Sequence, residues 1–274
     1  MKKPLQTAAG IARHIKKGHG QGHGEHYKPW LEVRHVPSLG KSTRNVGWKT
    51  GRMHSFLSQL ELQVFYLLDW EDEVVDIREQ FPLFPQEKTK EICHLLGIKD
   101  PQEPQAEVPM VMTTDFLVTL RDGSEHARSV KYVQELEDPR TVTKQEIERV
   151  FWEQSRIDWK IITENDVNIT AVKNVEWLHP KRAIGKLHPM TEREVNTVRR
   201  NIEPEIFAGF RPLNEITSEA DEKLGYRSGS ALSIVRHLLA NKVWLTDMTQ
   251  RLEPSNRIQI TPYETAQKHS IRVA

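Results

Sequence analysis

The sequence predicts an α/β protein, in which a sheet flanked by helices is followed by a smaller domain of three helices and a β-hairpin. Two observations carry this prediction. Leucine and valine recur at helical spacing over 55–70, which indicates an amphipathic helix. Alternating apolar residues over 108–120 and 125–133, joined by a short turn, indicate a β-hairpin.

The other elements of the first domain follow in chain order. Glycine, proline and small polar residues recur over 18–52 and favour loops. Residues 73–85 predict a strand that ends at a proline, and 91–98 predict a short helix.

A helix and a strand complete this domain. Thr143 and Glu146 form a capping box, which predicts a helix over 144–156. Residues 158–164 predict a buried strand. Helix, strands, helix and strand in this order favour a sheet covered by helices.

The pattern changes after residue 178. Thr191 and Glu194 form a second capping box, and two helical patterns, over 213–226 and 228–243, precede a hairpin-like end. Three helices and a hairpin are typical of a winged helix, a variant of the helix-turn-helix.

Length and composition limit the classes of protein. The 274 residues suffice for two domains, which we place at 1–165 and 166–274. No apolar run approaches the ~20 residues of a membrane helix, and the single cysteine, Cys93, fits a reducing compartment. We expect a cytoplasmic protein.

Positive charge is concentrated at the start of the chain. Residues 1–54 contain eleven Lys or Arg and two Glu, a net +9, so the rest of the chain carries −8. A basic segment of this kind favours contact with a phosphate backbone, although it is also compatible with a loosely ordered basic tail. The predicted DNA-binding residues are Lys16, Lys17, His23, Lys28, Arg34, Lys41, Arg44, Lys49 and Arg52.

Three charged residues stand in apolar surroundings. Glu61 lies on the apolar side of its helix, Asp115 in a strand of β-branched residues and Lys131 in the partner strand. Each one alone has an ordinary explanation at the edge of an apolar surface. Together they predict a Mg²⁺ site, since carboxylates and carbonyls are hard oxygen ligands and a lysine beside them can orient or deprotonate water or neutralise phosphate charge.

Several blocks of sequence resemble one nuclease family. The interval from Asp115 to Lys131 is similar to the PD-(D/E)xK pattern of restriction-endonuclease-like nucleases. More specific are the blocks "GQGHGEHYKPWL", "LSQLELQVF", "VVDIREQFPL", "TTDFLV" and "ERVFW". Their order and spacing over residues 1–165 resemble the TnsA family, the endonuclease subunit of heteromeric cut-and-paste transposons.

The resemblance implies a restriction-endonuclease-like mixed sheet and a metal-dependent site. The implied catalytic residues are Glu61, Asp115 and Lys131. The implied metal ligands are Glu61, Asp115, Glu148, Ser129 and the carbonyl of Val130, holding one or two Mg²⁺, with Mn²⁺ as a substitute. Ser129 departs from the family, in which this position carries Gln, or Asp or Glu in related nucleases.

The resemblance also implies partners. TnsA cuts the 5′ strand at each transposon end, the transposase TnsB acts on the 3′ strand, and the AAA-type ATPase regulator TnsC docks onto TnsA, in part through its C-terminal domain. Transposon-end DNA is therefore the expected substrate.

Two other functions stay open at this point. A nuclease fold retained as an adaptor between transposase and ATPase would explain Ser129 and the second domain. A zinc hydrolase would use His19, His23 and His26, because three imidazoles suit Zn²⁺. Four glycines among positions 18–24 argue against the zinc site, since flexible backbone costs entropy to order.

Overall fold

The structure, a computed structural model, describes residues 5, 7–31, 43–102, 106, 108–183 and 190–263. The chain divides into two compact units, the first ending at Val167 and the second beginning at Asn168. Across these described ranges, no helix has the length and apolar character needed to span a bilayer.

A mixed β-sheet flanked by helices forms the first unit. Its described elements are α1 (Ala8–Lys16), β1 (Thr43–Val46), β2 (Met53–Phe56), α2 (Gln59–Trp70), β3 (Val74–Pro82), α3 (Gln86–Leu96), β4 (Thr113–Leu120), β5 (Glu125–Val130), α4 (Pro139–Gln154) and β6 (Asp158–Ile162). Four of these strands form the mixed sheet, in the order β3-β4-β5-β6. β4 is antiparallel to both β3 and β5, and β6 is parallel to β5.

The connections explain the mixed sheet. A four-residue turn joins β4 to β5, so these strands run antiparallel. The chain leaves β5 through α4 before it reaches β6, and a helical crossover of this length permits a parallel pair.

Apolar side chains cover both faces of this sheet. Leu117 and Ala127 belong to a buried cluster with Ile147 of α4. Phe116 points to the opposite face because side chains alternate along a strand, and there its ring centroid lies 6.3 Å from that of Phe56. Phe56 in turn contacts Phe65 of α2 at 4.7 Å. The predicted α/β sheet flanked by helices is therefore confirmed.

The start of α2 differs from the prediction. The helix begins at Gln59 rather than at residue 55, because the hydroxyl of Ser58 accepts a hydrogen bond from the backbone of Glu61 (3.1 Å). Residues 53–56 instead pair with β1. The prediction of loops over 18–52 was thus wrong for 43–46.

The capping box predicted at Thr143 was wrong. The helix begins four residues earlier, at Pro139, and Asp138 is its N-cap, since the Asp138 carboxylate accepts from the backbone of Arg140 and Thr141. Thr143 lies inside α4 and donates to the carbonyl of Pro139 (2.7 Å). Asp followed by Pro at the first helical position is the stronger start signal.

The strand predicted as buried over 158–164 is shorter and more exposed. β6 ends at Ile162, which is buried, while the residues before it are partly or fully exposed. The strand lies at the edge of the sheet, so it presents a partly solvated surface.

In its described residues, the second unit has four α-helices and an antiparallel pair of short strands. Its elements are α5 (Ile169–Leu178), α6 (Glu192–Ala208), α7 (Leu213–Leu224), α8 (Ser230–Ala240), β7 (Trp244–Thr246) and β8 (Ile260–Pro262). The capping box of Thr191 and Glu194 at the start of α6 is confirmed. The sequence had not indicated α5.

A buried asparagine ties α5 to the segment that follows β7. Asn174 has no exposed surface. Its Nδ2 donates to the carbonyls of Met248 (3.0 Å) and Gln250 (2.7 Å), and its Oδ1 accepts from the backbone of Leu252 (2.9 Å). One side chain therefore satisfies three backbone groups that would otherwise lack partners.

We expect Asn174→Ala to lower the free energy of unfolding by about 2–4 kcal/mol, because buried backbone groups lose their partners. Urea unfolding followed by circular dichroism measures the change. The exposed Asn256 gives the matched control, since Asn256→Ala should change the midpoint little. Equal effects of the two substitutions would show that the buried network does not stabilise this unit.

Candidate active site

Asp115 lies where β4 and β5 separate. The ladder between these strands has its last pair at Phe116 and Arg128, and beyond it the Asp115 carboxylate replaces a backbone partner. Oδ2 of Asp115 accepts from the backbone of Val130 (2.7 Å) and from Nζ of Lys131 (2.7 Å), with the hydroxyl of Ser129 at 3.4 Å. Asp115 is thus buried yet hydrogen-bonded.

Glu61 reaches the same site from the first turn of α2. Its Oε2 accepts from the backbone of Leu57 (3.0 Å), and the side chain is almost fully buried. Burial, followed by repulsion from Asp115, raises the pKa of Glu61 to about 7. Sequence periodicity had placed Glu61 on the apolar side of α2, and the structure agrees.

Glu148 approaches from α4. Its Oε1 accepts from the hydroxyl of Thr114 (2.8 Å) and from the indole of Trp159 (3.0 Å). These donors are neutral, so they do not cancel its charge. Burial and then repulsion from Asp115 raise the pKa of Glu148 to about 7.

Lys131 is the cation of the cluster and follows the last residue of β5. Its Nζ also donates to the carbonyl of Val130 (2.8 Å). Burial acts to lower the pKa of Lys131, but the Asp115 carboxylate, helped by Glu148 and Glu61, raises it above the ordinary value. Lys131 is therefore a protonated donor at neutral pH in this structure, and its part in deprotonating water stays a prediction.

The charges of the cluster fit a divalent cation. Three carboxylates face one ammonium group, and burial, followed by repulsion from Asp115, raises the pKa values of Glu61 and Glu148. In the described part of the chain, no three His, Cys, Asp or Glu form a ready metal site. Mg²⁺ does not need such a cage, because one or two carboxylates and water suffice, and oxygen donors suit it.

The predicted DNA-binding residues differ in their exposure. Lys16, Lys17, His23, Lys28 and Arg44 are exposed, and Lys49 is half-buried. Nζ of Lys28 donates to the backbone carbonyl of Lys17 (3.0 Å), which places the ammonium of Lys28 at the C-terminal end of α1. Arg34 and Lys41 lie outside the described residues.

Arg52, which was also predicted to bind DNA, has a buried side chain. Its guanidinium is buried and donates to the carboxylate of Glu79 (2.8 Å) and to the carbonyl of Ile77 (2.9 Å). Nδ1 of His54 lies 2.8 Å from the same carboxylate. Burial acts to raise the pKa of Glu79, but hydrogen bonds from Arg52 and His54 lower it to about 2. Arg52 therefore stabilises the fold.

The three histidines of the zinc alternative do not converge. His19 is buried, lies 2.8 Å from the carbonyl of Pro29 and stacks on His14 at 3.7 Å. The side chains of His23 and His26 are exposed. These positions give the zinc hydrolase no support.

Comparison with known proteins connects both units to one family. Residues 71–164 match the family model described as "TnsA-like endonuclease N terminal", and residues 166–248 match that of "TnsA endonuclease C terminal". The chain is 41% identical over 245 residues to the Transposon Tn7 transposition protein TnsA of Escherichia coli, which covers 84% of this chain and 83% of that protein. The chain belongs to the TnsA family.

Family membership confirms the predicted resemblance and makes this chain an endonuclease. Asp115, Lys131 and Glu148 fall inside the matched range 71–164, whereas Glu61 precedes it. For Glu61, repulsion from Asp115 adds to burial in raising its pKa, which places these two carboxylates near each other.

The raised pKa values predict how stability depends on pH. In the folded protein without divalent cations, Glu61 and Glu148 have pKa values of about 7, above the ordinary 4.5. The folded state therefore binds protons more tightly than the unfolded state does. Protonation of the two acids stabilises the folded state fully below their unfolded pKa of 4.5, and this stabilisation is lost as the pH rises through about 7. We expect the unfolding free energy in EDTA to fall by about 5 kcal/mol between about pH 5 and pH 8, with roughly half of the change from each acid.

Urea unfolding in EDTA over this range measures the effect. The double variant Glu61→Gln, Glu148→Gln should show a flatter profile, while Glu153→Gln, an exposed position on the same α4, should follow the parent chain. A parent profile already flat over this range would contradict the assignment of the two buried acids.

Proposed function

We propose that this protein is a Mg²⁺-dependent DNA endonuclease that cuts the 5′ strand at transposon ends, working with the transposase TnsB and the ATPase regulator TnsC. One observation carries the proposal: Asp115 lies 2.7 Å from the ammonium of Lys131, with two further buried acids close enough for its charge to raise their pKa values. Membership of a family of endonucleases supports it.

Asp115 and Glu61 are the residues that would hold the cation, with Glu148, the carbonyl of Val130 and the hydroxyl of Ser129 as further oxygen donors. When bound, a divalent cation supplies charge that neutralises the phosphodiester and makes water a better nucleophile. The backbone N–H of Val130 and the ammonium of Lys131 fix Asp115 in advance, so its carboxylate needs little reorganisation.

Lys131 acts as a donor in this mechanism. Its ammonium, protonated at neutral pH because of Asp115, hydrogen-bonds the attacking water or an oxygen of the scissile phosphate. Negative charge grows on the phosphate oxygens as water adds in line with the leaving oxygen, and a fixed cation stabilises that charge. The net reaction is hydrolysis of one phosphodiester bond.

The exposed lysines of the first unit support DNA binding. Lys16 and Lys17 end α1, and Lys28 is hydrogen-bonded to the carbonyl of Lys17. Such a cluster can hold consecutive phosphates of one strand without reading the sequence. A role on chromosomal DNA implies a cytoplasmic, nucleoid-associated location.

The second unit fits a winged-helix-like domain that binds protein. Three helices, α6 to α8, precede the paired strands β7 and β8, as in that fold. Arg236 and His237 of α8 are hydrogen-bonded within the unit to the carbonyls of Trp177 and Lys181. Around α7, Glu215 and Glu219 are exposed, and this acidic surface favours a protein partner over DNA.

We expect the chain alone to cut poorly, because the partner transposase selects the ends. With TnsB, TnsC and Mg²⁺ present, Asp115→Ala and Lys131→Ala should each lower 5′-strand cleavage of transposon-end DNA by 100-fold or more, on the order of single transition-state contacts. Denaturing electrophoresis of labelled ends gives the rate.

The matched control is Lys160→Ala, an exposed lysine on the neighbouring β6, which should cut like the parent chain. Full cleavage by both Asp115→Ala and Lys131→Ala would overturn the active site. A parent chain that assembles with its partners and never cuts would instead support the adaptor.

The basic cluster predicts a salt-dependent effect on DNA binding. Replacing Lys16, Lys17 and Lys28 together by alanine should reduce the slope of log binding constant against log salt concentration by about 2 to 3, since each phosphate contact contributes about 0.9. Fluorescence anisotropy at several salt concentrations measures the slope. Lys173→Ala, on α5 of the second unit, should leave it unchanged, and an unchanged slope in the triple variant would exclude these contacts.

A further inference from the structure

Gln80 of β3 has an unusual backbone. Its φ is +49°, a left-handed conformation that residues with a Cβ adopt rarely. The residue lies between the cross-strand pairs Glu79–Phe116 and Phe81–Thr114, so it stands across from Asp115 on β4. Strain of this kind persists only where the surroundings enforce it, and it is frequent at functional sites.

The side chain of Gln80 contacts the Asp115 carboxylate directly. It is 2% exposed, its Nε2 donates to Oδ1 of Asp115 (3.2 Å), and its Oε1 accepts from the hydroxyl of Thr113 (3.1 Å). Because Thr113 donates to the oxygen, the amide nitrogen is left facing the carboxylate. Thr113 therefore fixes which end of the amide meets Asp115.

Neighbouring contacts hold the strained backbone in place. The carbonyl of Gln80 accepts from the backbone of Trp30 (3.1 Å). The preceding residue, Glu79, is bound on its side chain by Arg52 and His54. These long-range contacts anchor β3 on both sides of the strained peptide.

The hydrogen bond from Gln80 to Asp115 complements those that the other oxygen of this carboxylate accepts. Oδ2 of Asp115 is held by Val130 and Lys131, and Gln80 holds Oδ1. Together they stop the carboxylate from rotating about its last bond. An amide does this without adding positive charge, so it does not compete with a cation for Asp115, as a second lysine would.

We propose that Gln80 is a positioning residue: its left-handed backbone and its bond to Thr113 orient Asp115 for binding the divalent cation. This inference rests on the proposed function. Removing a group that orients a metal ligand typically lowers the affinity for the metal by about 10–100-fold.

The test measures Mn²⁺ binding by isothermal titration calorimetry on the full chain without DNA, beside the melting temperature in EDTA. Gln80→Gly removes the amide, and glycine accepts φ > 0 freely, so the melting temperature should be unchanged or higher. Mn²⁺ affinity should fall about tenfold, and in the reconstituted reaction higher Mg²⁺ concentrations should restore cleavage in part.

Arg156 provides the matched control, because it also has a positive φ (+57°) and is exposed, away from Asp115. Arg156→Gly should bind Mn²⁺ like the parent chain. Thr113→Val leaves the backbone of β3 untouched and frees the amide to turn, so it should weaken Mn²⁺ binding less than Gln80→Gly, and Thr113→Ser should restore it. If Gln80→Gly folds poorly, the comparison of Thr113→Val with Thr113→Ser tests whether the orientation of the Gln80 amide affects Mn²⁺ binding.

Asp115→Asn separates this inference from the proposed function. If Asp115→Asn loses Mn²⁺ binding while Gln80→Gly and Thr113→Val keep the parent affinity, Gln80 has only a structural role and the inference alone is overturned. If Asp115→Asn itself binds Mn²⁺ like the parent, the proposed site and the inference fall together.

Discussion

The carboxylate of Asp115 is the constraint around which the first unit is organised. It lies at the point where β4 and β5 stop pairing, and it takes the backbone hydrogen bond of Val130 that the sheet no longer supplies. A buried carboxylate without donors would cost several kcal/mol. The end of strand pairing leaves the N–H of Val130 available to Asp115, and Asp115 in turn gives that N–H a hydrogen-bond acceptor. Lys131 follows directly in the chain, and its position is therefore fixed by the same separation.

Two acids in neighbouring parts of this unit show how surroundings decide the role of a side chain. Glu79 is buried among cationic or hydrogen-bonding partners, Arg52 and His54, and its pKa is about 2. Glu148 is equally buried but has neutral donors and a carboxylate neighbour, and its pKa is about 7. The first acid holds β3 to the β1–β2 hairpin. The hydrogen-bond donors to the second acid are neutral, so burial and the charge of Asp115 disfavour its ionised form, and a bound cation would stabilise that form.

Local signals predicted elements well where no stronger signal lay nearby. The capping box at Thr191 starts α6 as expected, whereas the same motif at Thr143 lies within α4, because Asp138 and the proline after it begin the helix earlier. β1 was not predicted because its four residues alternate between half-buried and exposed, without a buried apolar face. They form a strand through their pairing with β2.

The sequence by itself determined the helical and strand periodicities, the family resemblance and the set Glu61, Asp115 and Lys131. These depend on spacing within short segments or on residue type, which the chain displays directly. The tertiary structure alone decided that Arg52 is internal and that Gln80 supports Asp115. Those contacts join residues tens of positions apart, and burial and charge there are set by groups that only folding brings together.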